Sequence, residues 1–174
     1  AKAGGILWFG VDDAASTIYV PMYSTINEVP ECFKEGNGDM YNYSPTSAWW
    51  TYNIVANWAY TKYSAMMPDI KKVQSAWEDK FNSQVEAIDA QVANMDATQA
   101  AAFLTKYSVS QAQESTAAWK DLGIYLFVKF LDGQQRKEEN GQFLRNAYGS
   151  PEMPNRTPYP TSFLESVHEH IAHE

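Results

Sequence analysis

The stretch from Ser44 to Met67, SPTSAWWTYNIVANWAYTKYSAMM, constrains the fold of this chain more than any other. It holds three of the six tryptophans and three of the eleven tyrosines, with Lys62 as its single charge. Ser44 and Pro45 suit an N-cap and a first helical position, and Pro68 interrupts the pattern, so the spacing predicts a helix over about 45–67. Trp49, Tyr52, Ala56, Ala59, Tyr60 and Tyr63 fall on one face at steps of three and four, and Trp50, Ile54 and Trp58 line another. Such a helix is expected to be buried nearly all round. Thr46, Thr51, Asn53, Asn57 and Lys62 break any run of the roughly 20 apolar residues that a bilayer span requires, which argues against a membrane role. Asn53 and Asn57 could hold a ligand, although a buried Asn more often satisfies neighbouring backbone groups.

A length of 174 residues fits one domain or the greater part of one, and a 45% hydrophobic content is ample for a core. With 21 acidic against 13 basic residues and a formal charge of -8, the chain has no basic patch with which to neutralise phosphates. Nucleic acid is therefore excluded as an expected partner. No charged n-region followed by an apolar h-region opens the sequence, so a signal peptide is expected to be already removed or never present. The lone Cys32 allows no internal disulfide.

Residues 4–26 read as a β-hairpin, GILWFGV and TIYVPMYSTI, separated by the turn-forming run Asp12 to Ala15. The first strand is apolar on both faces, as in a strand covered on both sides. Pro21 in the second places an edge or bulge there. Two strands alone are marginal in water, and nothing later in the chain clearly supplies more. The expectation is that the rest of the sheet lies on another polypeptide or on an N-terminal portion outside this chain. Residues 27–43 then read as an irregular connection rich in Pro30, Gly36, Asn37, Gly38 and Asp39. Cys32 sits there with no histidine before His168 and a mixed field of Glu31, Lys34 and Glu35, which points to a packed, inert thiol rather than a nucleophile. The Gly-rich piece lacks the Gly-Lys-Ser/Thr ending of a phosphate loop.

From Pro68, the residues Ile70, Val73, Trp77, Phe81, Val85, Ile88, Val92 and Met95 recur at helical steps and predict an amphipathic surface helix over 68–95 with one seam against the aromatic helix. Asp96 and Gln99 have capping-box spacing for a short helix over 97–106, with a break at Tyr107 and Ser108. A further helix over 110–131 runs through Trp119 to Asp132 and Gly133, a suitable stop. Its apolar end, GIYLFVKFL, could instead be a strand. Residues 1–133 thus form one portion and 134–174 an irregular Pro-rich tail with a short terminal helix. The predicted fold class is mainly α with an N-terminal β-hairpin.

All three histidines lie in HEHIAHE at the end of the chain. A zinc-protease helix needs His at i and i+4, and Ala172 stands where His168 would require the second. His170 and His173 share a helical face, yet a frayed terminus is a poor platform for a metal. Asp12 with Asp13, and Glu138 with Glu139, fit turns or a solvated face better than an acid/base pair. No serine has the G-x-S-x-G context. No residue is assigned a catalytic, cofactor-binding or metal-binding role, and no motif calls for a cofactor.

The pieces WFGVDDA, VPECF, GNGDM, YSPTSAWW and NxVANxAY, in order between Leu7 and Val73, resemble the later part of the cysteine dipeptidases related to bacterial dipeptidase A. The segment Ala112 to Gly133 is similar to that family's closing helix. The resemblance implies an αββα fold of the N-terminal-nucleophile hydrolase superfamily, in which a cysteine at the start of the mature chain attacks the peptide carbonyl with its own α-amino group as base. Cys32 belongs to the VPECF piece and residue 1 is alanine, so no catalytic residue carries over. The chain is thus expected to be the C-terminal portion of a dipeptidase. Its expected partners are the N-terminal portion of the same enzyme and, in the complete enzyme only, a dipeptide substrate, with homo-oligomer formation through the hairpin edge as a further option. The alternative is a non-catalytic helical interaction module built on that scaffold. The compartment, secreted, periplasmic or cytoplasmic in a bacterium, stays open.

Overall fold

The computed structural model describes residues 3–156 and 159–172. The chain divides into two compact units, Ala1–Leu126 and Phe127–Glu174. Three long helices dominate: α1 over Ala48–Thr61, α2 over Tyr63–Val92 and α3 over Ala97–Phe130. A hairpin of β1, Ile6–Phe9, and β2, Val20–Tyr23, precedes them. The chain is mainly helical with an N-terminal β-hairpin, as its patterning predicts.

The helix bounds depart from expectation in three places. Ser44 and Pro45 form a turn closed by the Ser47 N–H on the Ser44 carbonyl at 3.3 Å, so α1 starts at Ala48 with Ser47 as N-cap. The break between α1 and α2 falls at Lys62 (φ -153°, ψ 58°), while Pro68 lies inside α2 near its start. Pro68 cannot donate to the Ser64 carbonyl, a loss most easily absorbed close to a helix N-terminus. The expected break at Tyr107 and Ser108 is absent, and α3 continues through Gly123, which removes the strand alternative. A Cβ at Gly123 would stand 3.5 Å from the γ-methyls of both Ile54 and Val55, an ordinary contact distance, so α3 lies against α1 there.

Only one face of α1 is buried, through Ala48, Thr51, Tyr52, Val55, Ala56 and Ala59, whereas Trp49 and Tyr60 are exposed. A helix buried nearly all round is thus corrected to a half-buried one. Its aromatic content outruns the surface that α2 and α3 cover. The α2 seam stands as its period predicts, with Ile70, Phe81 and Val92 fully buried. The capping box also forms: the Gln99 N–H donates to Asp96 Oδ1 at 2.8 Å, and the Asp96 N–H to Gln99 Oε1 at 3.4 Å. Beneath the hairpin, Ala3, Tyr23, Val92, Ala100 and Leu104 form one core cluster, with Ile6 packed against it.

In the hairpin, Ile6, Leu7, Trp8 and Phe9 face Tyr23, Met22, Pro21 and Val20 respectively. The Ser24 N–H donates to the Gly5 carbonyl at 2.9 Å, and by alternation Leu7 and Phe9 direct their backbone groups to β2 while Ile6 and Trp8 direct theirs away. Pro21 lies opposite Trp8, at a position that needs no ladder N–H. The other edge of β2 is closed by α3. Ser108 donates to the Pro21 carbonyl at 3.0 Å and accepts the Tyr23 N–H at 3.3 Å. A strand covered on both faces was expected for the first run. Instead β2 is buried throughout, and Leu7, Trp8 and Phe9 of β1 are exposed.

The second unit continues from α3 through a turn at Leu131–Gly133, where Asp132 and Gly133 take positive φ. There β3, Gln134–Gln135, pairs with β6, Asn155–Arg156, and β4, Glu138–Glu139, pairs with β5, Gln142–Phe143. Asn140 and Gly141, both at positive φ, make the tight turn between β4 and β5. The terminal helix α4 spans Thr161–Ala172.

Candidate functional site

Cys32 is the one thiol in the sequence, and its surroundings are built by three elements. Pro30 opens a 3-10 turn over Glu31–Phe33 that buries Cys32 to 6% exposure. The loop after it is fastened by its own side chains. Asn37 Nδ2 donates to the Glu31 carbonyl at 2.8 Å, and Asn37 Oδ1 accepts from the hydroxyls of Ser44 and Thr46. The Asn42 side-chain amide donates to the Asp39 carboxylate and, with the N–H groups of Tyr41 and Asn42, holds that carboxyl below its usual value. Trp50 Nε1 donates to the carbonyls of Asp39 and Asn42 at 3.1 and 3.0 Å, tying this loop to α1. Gly36 and Gly38 supply the positive φ that the tight path needs.

Behind Cys32 stand Tyr52 of α1 and Thr116 and Trp119 of α3. Tyr52 and Trp119 stack with centroids 5.3 Å apart and planes 17° from parallel. The Tyr52 hydroxyl, Thr116 Oγ1 and Trp119 Nε1 are buried without a hydrogen-bond partner among the described residues. Burial pushes the Cys32 thiol above its usual value. The nearby Thr116 hydroxyl, though outside hydrogen-bond geometry, offsets part of that, and the Glu31 carboxylate adds to the rise. Burial likewise pushes the Tyr52 phenol up, and the nearby Ser115 and Thr116 hydroxyls, outside hydrogen-bond geometry, offset part of that. A thiol in this setting is protonated and shielded, which is the state of a packing cysteine.

Two shallow cavities flank Cys32. One of about 180 Å³ is lined by Phe9, Val11, Phe33, Asn37 and Trp49, and one of about 300 Å³ by Glu31, Thr46, Gln113, Thr116 and Lys120. Neither brings a histidine to the sulfur. The first unit contains no histidine, because all three stand at 168, 170 and 173.

The other singled-out residues take structural places. Asp13 caps the turn after β1, accepting from the Ala15 N–H at 3.0 Å and the Ser16 hydroxyl at 3.1 Å. Asp12 adopts positive φ, and its carboxyl is raised by burial, partly offset by a backbone hydrogen bond from Asp13. Asn53 and Asn57 donate back to the carbonyls of Trp49 and Asn53 at 2.9 and 2.8 Å, which is the backbone-satisfying use of Asn. Glu138 pairs with Lys129 at 3.4 Å. His168 is exposed on α4, and the His170 side chain and His173 lie outside the described residues. Among the described residues, no group of three or more His, Cys, Asp or Glu side chains is placed to hold a metal ion, and no helix is long and apolar enough to cross a membrane.

Residues 1–76, which contain β1, β2, the Cys32 turn, the Asn37–Asp39 loop and α1, match the profile of peptidase family C69. The match covers 76 of the 174 residues and shows what this part of the chain is similar to. The match takes in every piece quoted from WFGVDDA to NxVANxAY, and so agrees with the likeness to cysteine dipeptidases. Within the matched segment, VPECF supplies a buried turn and YSPTSAWW supplies the lead-in that positions α1 against it. Thr116 and Trp119, which complete the surroundings of Cys32, lie on α3 beyond the matched residues, and no local motif marks them. No curated protein and no solved structure matches the chain.

Proposed function

We infer that this chain is the structural C-terminal portion of a cysteine-dependent dipeptidase, which hydrolyses the peptide bond of dipeptides with a nucleophile carried on a segment other than these 174 residues. The family C69 match over residues 1–76 carries the reading. The chemistry around Cys32 supports it. A nucleophilic thiol is favoured by a histidine in reach and a lowered pKa, whereas this thiol is raised by burial and its unit carries no histidine. A β-hairpin with one edge closed by Ser108 and the other open supports a sheet that continues in the complete enzyme, as an αββα sandwich of the N-terminal-nucleophile type requires. Its partner is then the N-terminal portion of the same dipeptidase.

The test is turnover of dipeptides by the chain alone and after mixing with the matching N-terminal portion. The reading expects none from the chain and measurable hydrolysis from the mixture. The open, apolar β1 edge also fits a second reading, a non-catalytic interaction module on the same scaffold. Stable complex formation without turnover would select it.

A further inference from the structure

We propose that Asn140 is a site of spontaneous deamidation in the folded chain, and that Asn37, which precedes a glycine in the same way, is protected by its hydrogen bonds. The sequence holds two Asn-Gly pairs, Asn37-Gly38 and Asn140-Gly141. Glycine after asparagine leaves the backbone nitrogen most open to the side chain, because no Cβ stands in the path. In the reaction the glycine nitrogen bonds to the asparagine Cγ, the Cγ–Nδ2 bond breaks, and the amide proton leaves with Nδ2 as ammonia. Solvent water then adds to either carbonyl carbon of the succinimide ring and breaks its bond to the ring nitrogen, which regains a proton. The product is aspartate or isoaspartate, with one new carboxylate.

The two pairs stand in opposite settings. At Asn37, Nδ2 donates to the Glu31 carbonyl at 2.8 Å, and Oδ1 accepts from the Ser44 and Thr46 hydroxyls at 2.5 and 3.0 Å. Turning Cγ toward the Gly38 nitrogen breaks these bonds. Gly38 is also enclosed: a Cβ there would stand 3.0 Å from the Asn42 carbonyl oxygen and 3.2 Å from the Trp50 ring, so the backbone has little room to move. Asn140 and Gly141 are exposed, and a Cβ at Gly141 would meet nothing within 4 Å. Among the described residues, neither the Asn140 side-chain amide nor the Gly141 N–H has a hydrogen-bond partner. Attack needs a more extended Asn140 than the closed turn gives. The hairpin that closes it has only the pairs Glu138 with Phe143 and Glu139 with Gln142, and so short a ladder opens locally at little cost. The new carboxylate then follows Glu138 and Glu139 as a third consecutive negative charge.

Incubating the full chain at mildly alkaline pH, in native buffer and in denaturant, with peptide mass spectrometry at intervals, reads both sites. In native buffer Asn140 is expected to deamidate about tenfold or more faster than Asn37, and in denaturant the two are expected to react at similar rates. Asn140→Gln, which would have to close a larger ring, is expected to abolish the native gain of negative charge on isoelectric focusing, with circular dichroism confirming an unchanged fold. Ser44→Ala combined with Thr46→Ala removes both hydroxyl donors to Asn37 and is expected to raise the native rate there. Asn140 that stays intact in native buffer while it reacts in denaturant overturns the site, because the turn then stays closed. A smaller native difference between the two sites, or an Asn37 rate indifferent to the double alanine variant, overturns protection by hydrogen bonding.

Discussion

Tyr52→Phe tests the description of the core behind Cys32 most sharply, because it deletes one oxygen and leaves the packing unchanged. Tyr52 is fully buried and stacked on Trp119, and its hydroxyl has no hydrogen-bond partner among the described residues. In the unfolded chain that hydroxyl is hydrated. Folding strips the water and returns no bond, a cost of about 1–3 kcal/mol for a buried polar group. Replacing the hydroxyl with hydrogen therefore stabilises the protein by about 1 kcal/mol, a rise of roughly 2–4 °C in Tm for a chain of this size. Tyr52→Ala runs the other way. It removes the stacked ring, at about 3–5 kcal/mol for a large-to-small core change. Urea unfolding followed by circular dichroism measures both. Destabilisation of Tyr52→Phe by 1 kcal/mol or more, on the order of a typical net hydrogen bond, would refute the unpartnered hydroxyl and imply a bond within the Cys32 surroundings.

Two further outcomes follow from the same geometry. Because burial raises the Cys32 thiol, its alkylation by iodoacetamide in the native chain is expected to keep rising with pH past the usual thiol value of about 8.5 before it levels off, and at pH 8 to run slower than in denaturant. A native rate that already levels off below pH 8 would mean an activated thiol. Ser108→Ala removes the donor to the Pro21 carbonyl and the acceptor of the Tyr23 N–H, and is expected to cost about 1–3 kcal/mol in urea unfolding; a neutral result would show that α3 does not close the β2 edge.

Regular hydrophobic periods made much of the fold legible from the residues alone. The Ile70 to Val92 seam, the Asp96–Gln99 capping box and the hairpin around Asp12–Ala15 are local patterns, and each stands in the structure. Helix junctions were less legible, because they depend on long-range contacts. Tyr107 and Ser108 read as a break, yet Ser108 sits in an unbroken helix because its hydroxyl is held by a strand edge 87 residues away. Pro68 read as a helix start, whereas the chain turns at Lys62 and accommodates proline in the first turns of α2. The aromatic density of α1 predicted burial on all sides, but burial is set by how many neighbours the fold supplies, and Trp49 and Tyr60 face outward. One local signal was present and passed over. Asn140-Gly141 marks the tight β4–β5 turn within a stretch read only as polar. At the site, the absence of any histidine near Cys32 was legible in the sequence, while Thr116 and Trp119 could be found only once α3 was packed on α1.

The central claim is that the hydrolytic nucleophile is not among these residues. It is tested most directly by dipeptide hydrolysis in mixtures of the N-terminal dipeptidase portion with wild-type chain and with Cys32→Ala. The account predicts equal turnover in the two mixtures and none from either chain alone. Loss of turnover in the Cys32→Ala mixture with the fold intact, or hydrolysis by the chain alone that Cys32→Ala abolishes, would contradict it.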